Sequence, residues 1–199
     1  MGKVVLFIWS TVDGVVQGPM RPDEDTRDGF AHGGWAAPYA SSVGSAAGSS
    51  MASSGGLLLG RRTYEDFFAV WPNRPKPNPF TDLLNNMQKY VASTTLKEPL
   101  PWVNSTLLHG DAAAAVARLT EQMDGDLVML GSGELAQSLM RANLIDIYML
   151  LICPVVLGAG QRLFREHGAT NRLRLVETKT TDAGVVITTY SPAKPAARQ

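Results

Sequence analysis

The sequence predicts an α/β fold with a mostly parallel sheet and an antiparallel strand at its edge. Three observations carry that prediction. Apolar runs and amphipathic stretches alternate from residue 4 to residue 152, as strand–helix units of a parallel sheet do. The runs are nearly continuous in apolar residues, as in strands covered on both faces. Two segments of alternating apolar and polar residues then close the chain around Ala183-Gly184, the pattern of a hairpin.

The elements follow in order. Residues 4–9 are β-rich and apolar, a buried central strand. Residues 10–28 read as loop, broken by Gly14, Gly18, Pro19 and Pro22. Residues 36–56 are rich in Ala, Ser and Gly and make a helix of weak propensity. Residues 57–59 are a short buried strand ending at Gly60. Tyr64, Phe67, Phe68 and Trp71 share one face of a helix over residues 63–70, which puts Trp71 in the core. Pro72 stops that helix, and four prolines stiffen residues 72–79 into a loop. Residues 89–92 and 106–108 are strands, the first followed by the polar loop Ser93-Thr94-Thr95. Asp111 caps an alanine-rich helix to residue 122. Residues 126–130 are a buried strand, Gly131 opens a turn, and residues 134–142 are a helix with Leu135 and Leu139 on one face. Residues 145–152 are the longest strand, and residues 173–180 and 185–190 form the hairpin. No repeat or linker divides the chain, so residues 1–191 are expected as one domain and residues 192–199 as a frayed tail.

Composition removes several function classes. A chain of 199 residues, 45% apolar, can take roughly 70% of its unfolded surface out of water. Eighteen Lys and Arg balance eighteen Asp and Glu, so no basic excess points to nucleic acid, and no charge excess points to disorder. One cysteine, Cys153, excludes an internal disulfide and a cysteine-rich zinc site. His32, His109 and His167 lie far apart, without metal-ligand spacing. No apolar run approaches the ~20 residues that span a bilayer, and no signal or lipidation pattern is visible. The expectation is a cytoplasmic protein with no membrane, metal or nucleic-acid partner.

Three segments carry candidate chemistry. In residues 57–65 a strand runs into Gly60, then Arg61 and Arg62, then a helix start at Thr63. Such a helix start offers unpaired N–H groups to a phosphate, and an arginine there can hold it bidentately. The alternative is a plain turn with a solvated arginine pair. Gly131-Ser132-Gly133-Glu134-Leu135-Ala136 again follows a buried strand and opens a helix. It fits a pyrophosphate-cradling turn, or a tight turn that needs small residues. Ser93 and Thr94 offer hydroxyls just after a third strand, where parallel sheets bind ligands, or they cap a polar loop. Together the three suggest a nucleotide lying across the carboxyl ends of the strands.

Four motifs in series resemble a known family. They are Ser10-Thr11-Val12-Asp13-Gly14-Val15-Val16, the Leu-Gly-Arg-Arg-Thr-Tyr-Glu of residues 59–65, Gly-Ser-Gly-Glu-Leu at 131–135, and Pro-Val-Val-Leu-Gly-Ala-Gly-Gln-Arg-Leu-Phe at 154–164. The chain resembles the dihydrofolate-reductase-like superfamily. More closely, it is similar to stand-alone proteins related to the C-terminal reductase domain of the bifunctional riboflavin-biosynthesis deaminase/reductase. The resemblance covers residues 3–190 and implies a three-layer αβα fold with NADPH as hydride donor. It also implies that Gly60, Arg61, Arg62 and Thr63 bind the cofactor's phosphates. Ser93 and Thr94 then read its 2′-phosphate, and Gly131, Ser132, Gly133, Glu134 and Leu135 hold the pyrophosphate. With one cysteine, these residues lack the Cys-x-x-Cys signature of the bifunctional protein's zinc deaminase half, so that half is not expected here. No Asp or Glu lies between Asp28 and Glu65, where folate-reducing members carry a carboxylate on the first helix, here Ser41-Ser42-Val43-Gly44-Ser45-Ala46.

The first strand and its loop should flank the nicotinamide, with Trp9, Ser10, Thr11 and Gly14 at the substrate. Asp13 is the first candidate for acid–base work, against its reading as the turn-former of Asp-Gly. His32 is the second candidate, and it shares with Asp25 and Asp28 a loop over residues 17–35 that could act as a lid. Trp9, Trp35 and Trp71 could stack on a flat heterocycle. Arg162 is expected to pair with Glu166 at i+4. The function expected is an NADPH-dependent reductase of a small heterocycle, such as the riboflavin-pathway aminopyrimidine. The alternatives are an NADPH-binding sensor without turnover and a structural dimer without ligand. A homodimer is expected because relatives of this type often pair and the closing hairpin offers an edge.

Overall fold

The structure is a computed structural model that describes residues 1–44, 54–75, 77–165, 168 and 170–193. Among the described residues eight strands run in chain order as β1 (Val4–Thr11), β2 (Gly56–Gly60), β3 (Lys89–Ala92), β4 (Ser105–Leu108), β5 (Leu127–Leu130), β6 (Ile147–Cys153), β7 (Leu173–Thr180) and β8 (Val186–Pro192). Besides the helical residues 40–44, the described helices between them are α1 (Arg61–Val70), α2 (Pro79–Asn86), α3 (Ala112–Gln122) and α4 (Gly133–Arg141). The strands form one sheet in the order β4-β3-β2-β5-β1-β6-β8-β7. All pairs from β4 to β6 are parallel. The pairs β6–β8 and β7–β8 are antiparallel. The expected α/β architecture is present, with the hairpin supplying two antiparallel strands at one edge.

The alternation of β1 explains the layering. Val5 and Phe7 face a core with Tyr64 of α1, Leu84 of α2, Trp35 and Trp102. Val4, Leu6 and Ile8 face the opposite core with Val116 of α3 and Leu135 and Leu139 of α4. A strand covered on both faces must be apolar throughout, so the sheet is the middle of three layers.

Several boundaries differ from expectation. β1 continues through Ser10 and Thr11, which pair with Ile152 and Cys153 of β6; their hydroxyls bond locally to Thr11 carbonyl and Asp13, so polar residues stay inside the sheet. β6 has seven residues against eight in β1 and β7, so it is not the longest strand. The proline loop conceals α2, whose start is set by Asn78. The Asn78 side chain accepts the Thr81 amide at 3.1 Å, and Pro79 takes the first helical position, where no N–H is needed. Helix α1 begins at Arg61, two residues before the expected start. Residues 40–44 are helical, and 45–53 of the weak helix lie outside the described residues. β8 runs to Pro192, into the expected tail, whose residues 194–199 also lie outside them. No described helix is long and apolar enough to cross a membrane.

Candidate functional site

The strand order brings the three glycine and hydroxyl turns together. β3, β2 and β5 are neighbours, and their carboxyl ends release Ser93-Thr94-Thr95, Gly60-Arg61-Arg62-Thr63 and Gly131-Ser132-Gly133 side by side. All of these line one cleft of about 1200 Å³, with Glu134 and Leu135 beside them and Trp9 of β1 next in the row.

Ser132 ties two of the turns. It sits in the left-handed region at φ 64, directly after Gly131 at φ 65. That backbone turns its Oγ towards β2, where it accepts the Gly60 amide at 2.8 Å and donates to Thr63 Oγ1 at 2.7 Å. A helix start leaves its first-turn amides without partners inside the helix, and the dipoles of α1 and α4 favour an anion at the cleft. Arg61 pairs with Glu65 one turn on, at 2.8 Å. Arg62 is exposed and has no hydrogen bond or ion pair among the described residues. Ser93 Oγ accepts the amides of Thr95 at 3.1 Å and Leu96 at 3.0 Å, so its lone pairs hold the turn. Glu134 is bonded to Arg165, and that contact holds its carboxyl below the usual range.

The structure separates the acid–base candidates from this row. Asp13 lies outside the cleft lining. Its carboxylate takes Thr11 Oγ1 at 2.6 Å and the amides of Gly158 at 2.9 Å and Leu157 at 3.2 Å. Those donors, Thr11 first, hold its pKa at about 2 against an ordinary 3.8. Arg162 Nε donates to the Asp13 carbonyl at 2.9 Å, which gives the arginine a different partner from Glu166, a residue outside those described. Asp13 therefore fastens residues 154–164 to the end of β1. Asp13→Asn is expected to cost about 1–2 kcal/mol, checked by urea unfolding. The folded pKa is depressed, so the stabilisation is present above pH 3.8 and fades as pH falls towards 2; the variant should lack that fall.

His32 is exposed, packs edge-on to Phe30 at 5.7 Å and borders a smaller recess of about 280 Å³. Ser10 and Thr11 are buried in the sheet, and Gly14 closes the Thr11–Val15 turn at φ 83; none of the three lines the cleft. Trp35 is buried with its indole N–H on the Gln17 carbonyl at 2.8 Å. That bond, with Gly34 N–H to Gly18 carbonyl at 2.8 Å, pins the loop expected as a lid. Trp71, expected in the core, packs against it half-buried and also borders the cleft, edge-on to Phe80 at 4.7 Å.

Sequence reasoning missed two carboxylates at the cleft. Glu24 and Asp66 both line it. Glu24 Oε2 accepts the amides of Met20 at 2.6 Å and Arg21 at 3.1 Å. Burial, with a contribution from the Asp66 charge, raises its pKa above the ordinary range. Asp66 is forked by the Arg21 guanidinium, one arm at 3.2 Å. No local signal marks these residues, because Glu24 comes from a loop and Asp66 from α1.

A mostly parallel sheet between two helical layers, with helix-start turns along one cleft, is the fold of dihydrofolate reductase. The chain belongs to the RibD C-terminal domain family, whose sequence profile matches residues 2–187. It is 28% identical over 140 residues to the Bacillus subtilis protein YyaP, covering 67% of this chain and 72% of that one. A Shewanella sp. PV-4 protein, provisionally named for riboflavin biosynthesis, superposes with TM-score 0.70 at 19% identity, over 98% of this chain and 100% of that one. Enterococcus faecalis dihydrofolate reductase, solved with NADP(H), superposes with TM-score 0.61 at 14% identity, over 97% and 98%.

Proposed function

We propose that the protein is an NADPH-dependent reductase of a small flat heterocycle. The observation that supports this best is the row of three turns at the ends of β3, β2 and β5, all on one cleft. The residues suit the cofactor. First-turn amides of α1 and α4 would meet its pyrophosphate, and Arg62 with Thr94 would meet the 2′-phosphate. The E. faecalis reductase of like fold was solved with NADP(H), which supports the same choice.

NADPH, when bound, supplies the hydride. The chain's own residues then have three tasks. Trp9, Phe67, Trp71 and Phe80, which line the cleft, orient a flat acceptor. The packed loop keeps water from the reacting face. Glu24, the cleft carboxyl with the raised pKa, holds the proton the reduced product needs. The family name makes the riboflavin-pathway aminopyrimidine the first acceptor to try. The partner protein in this reading is a second copy of the chain, paired along β7, whose free edge exposes Leu175 and Val176. Light scattering at twice the 21.4 kDa chain mass tests that pairing.

The deciding experiment is a titration with NADPH and NADH, followed by tryptophan quenching. NADPH is expected to bind about tenfold or more tightly than NADH, a difference of about 1.4 kcal/mol. Arg62→Ala should remove most of that preference while leaving NADH unchanged. Failure of both nucleotides to bind removes the reductase reading. Binding of NADPH without oxidation by any acceptor favours a sensor.

A further inference from the structure

Glu24 uses a single oxygen to hold its own turn. Oε2 accepts both the Met20 and the Arg21 amide, and Oε1 has no hydrogen-bond partner among the described residues. A neutral carboxyl so placed carries its proton on Oε1, because two N–H donors occupy the lone pairs of Oε2. The turn is fixed from two sides. Arg21 meets Glu24 through both backbone groups, its N–H on Oε2 and its carbonyl accepting the Glu24 amide at 3.3 Å. Its guanidinium forks onto Asp66 of α1, one arm at 3.2 Å. Behind the turn stands Gly33, where a Cβ would lie 2.5 Å from the Pro22 carbonyl oxygen and 2.7 Å from that of Arg21. The loop that carries Glu24 is thus tied to a helix through the Arg21–Asp66 pair.

We propose that Asp66 and Arg21 are positioning residues for Glu24: their fork seats the Met20–Glu24 turn on α1, so that Oε1 holds its proton at the acceptor end of the cleft. The part played in reduction rests on the reductase reading; the seating does not. In that reading the proton passes from Oε1 to a heteroatom of the acceptor, and solvent returns a proton to the carboxylate. The pair also brings two opposite charges to the turn. Asp66 favours the protonated carboxyl and Arg21 the ionised one, both smaller effects than burial and the two amides. The other charges on this loop are Asp23, 3.3 Å from Arg21 Nε, and the Asp25–Arg27 pair. On α1, Glu65 is paired with Arg61, and Arg62 lies at the helix start. His32, beside Gly33, packs on Phe30.

The test reads Glu24 directly. Its side-chain carboxyl is titrated by carbon-13 NMR in the full chain, with Glu24→Gln to assign the signal. Asp66→Asn removes the anion and leaves the cation, so Glu24 should titrate lower, by about half a pH unit or more. Arg21→Gln removes the cation and leaves the anion, so Glu24 should titrate higher. Asp66→Glu keeps both charge and fork and should restore the natural midpoint. Both fork-breaking variants should speed hydrogen exchange of the Met20 and Arg21 amides about tenfold or more. Unchanged exchange along α1 shows that the variants are folded. A turn that is merely loosened moves both midpoints in one direction, so shifts of the same sign overturn the proposal. Unmoved midpoints, or unchanged exchange at Met20 and Arg21, overturn it as well. The NADPH titration on the same samples separates the two readings. No NADPH binding by the natural chain, with the opposite shifts present, removes the reductase alone. Intact NADPH binding without the shifts removes this inference alone.

Discussion

Gly60→Val is expected to weaken NADPH binding about hundredfold or more, a loss of about 2.7 kcal/mol, read by the same nucleotide titration. A Cβ at this position would lie 2.9 Å from Ser132 Oγ and 3.0 Å from Ser132 Cβ. Ser132 has nowhere to go. Its Oγ is held between the Gly60 amide at 2.8 Å and Thr63 Oγ1 at 2.7 Å, and its backbone is already left-handed. The added branch must therefore push the α1 and α4 turns apart, and the amides of both lose their common target. The φ of Gly60 is −78, so valine meets no backbone strain, and the effect reads the contact alone. Gly60→Ala carries the same Cβ and should show most of the loss. Adding Ser132→Gly restores the space and should recover part of the affinity, less the contribution of the lost hydrogen bonds. No recovery would mean that the turns are not coupled through this contact.

Lys89→Ala is expected to lower unfolding stability by about 3–5 kcal/mol. Thermal unfolding should fall by about 10 °C, at about 2–4 °C per kcal/mol for a chain of this size. Lys89 is fully buried at the start of β3. Its Nζ donates to the carbonyls of Leu84 and Met87, each at 2.7 Å, and lies 4.7 Å above the Trp102 ring. Those carbonyls end α2, where the helix dipole favours a cation. Truncation leaves both unpaired in the core and opens a cavity beside Trp102. Lys89→Met keeps the volume and should lose about half as much, which separates the bonds from the packing. Burial pushes the Lys89 pKa down to about 8 from 10.5. Below pH 8 the group is charged in both states, and the fold bears the desolvation. Between 8 and 10.5 the unfolded chain keeps the proton that the folded one has released, so stability climbs with pH. The methionine variant should lack that climb relative to the natural chain.

The sequence marks Gly60 far more clearly than Lys89. Gly60 stood out because a strand, a glycine, two arginines and a helix start occupy nine consecutive residues, 57–65. Lys89 looked like the first residue of a short strand, and its partners lie on a helix that the proline-rich stretch concealed. Asn78-Pro79 was the available signal for that helix. Asp13 sits beside a glycine, as a turn-former does, but two of its donors, Leu157 and Gly158, come from the far end of the chain. Trp71 has the spacing of a core residue, and the helix face it shares does pack inward. Its ring packs half-buried against that core and, from the end of the face, also borders the cleft.

The sequence by itself determined the alternation of strands and helices, the closing hairpin and the three turns at strand ends. Each of these is local. Burial on both faces demands an apolar run, a helix start leaves its amides free within four residues, and a tight turn needs glycine or a small side chain. Tertiary structure alone decided which turns share a cleft, through the order β3-β2-β5-β1. It also decided that Asp13 is an anchor and that Glu24 and Asp66 meet around Arg21. Those pairings join residues that are 45 positions apart for Arg21 and Asp66 and 145 apart for Asp13 and Gly158. Hydrogen bonds and charge pairs act over a few ångströms in space whatever the separation along the chain, so no local pattern records them.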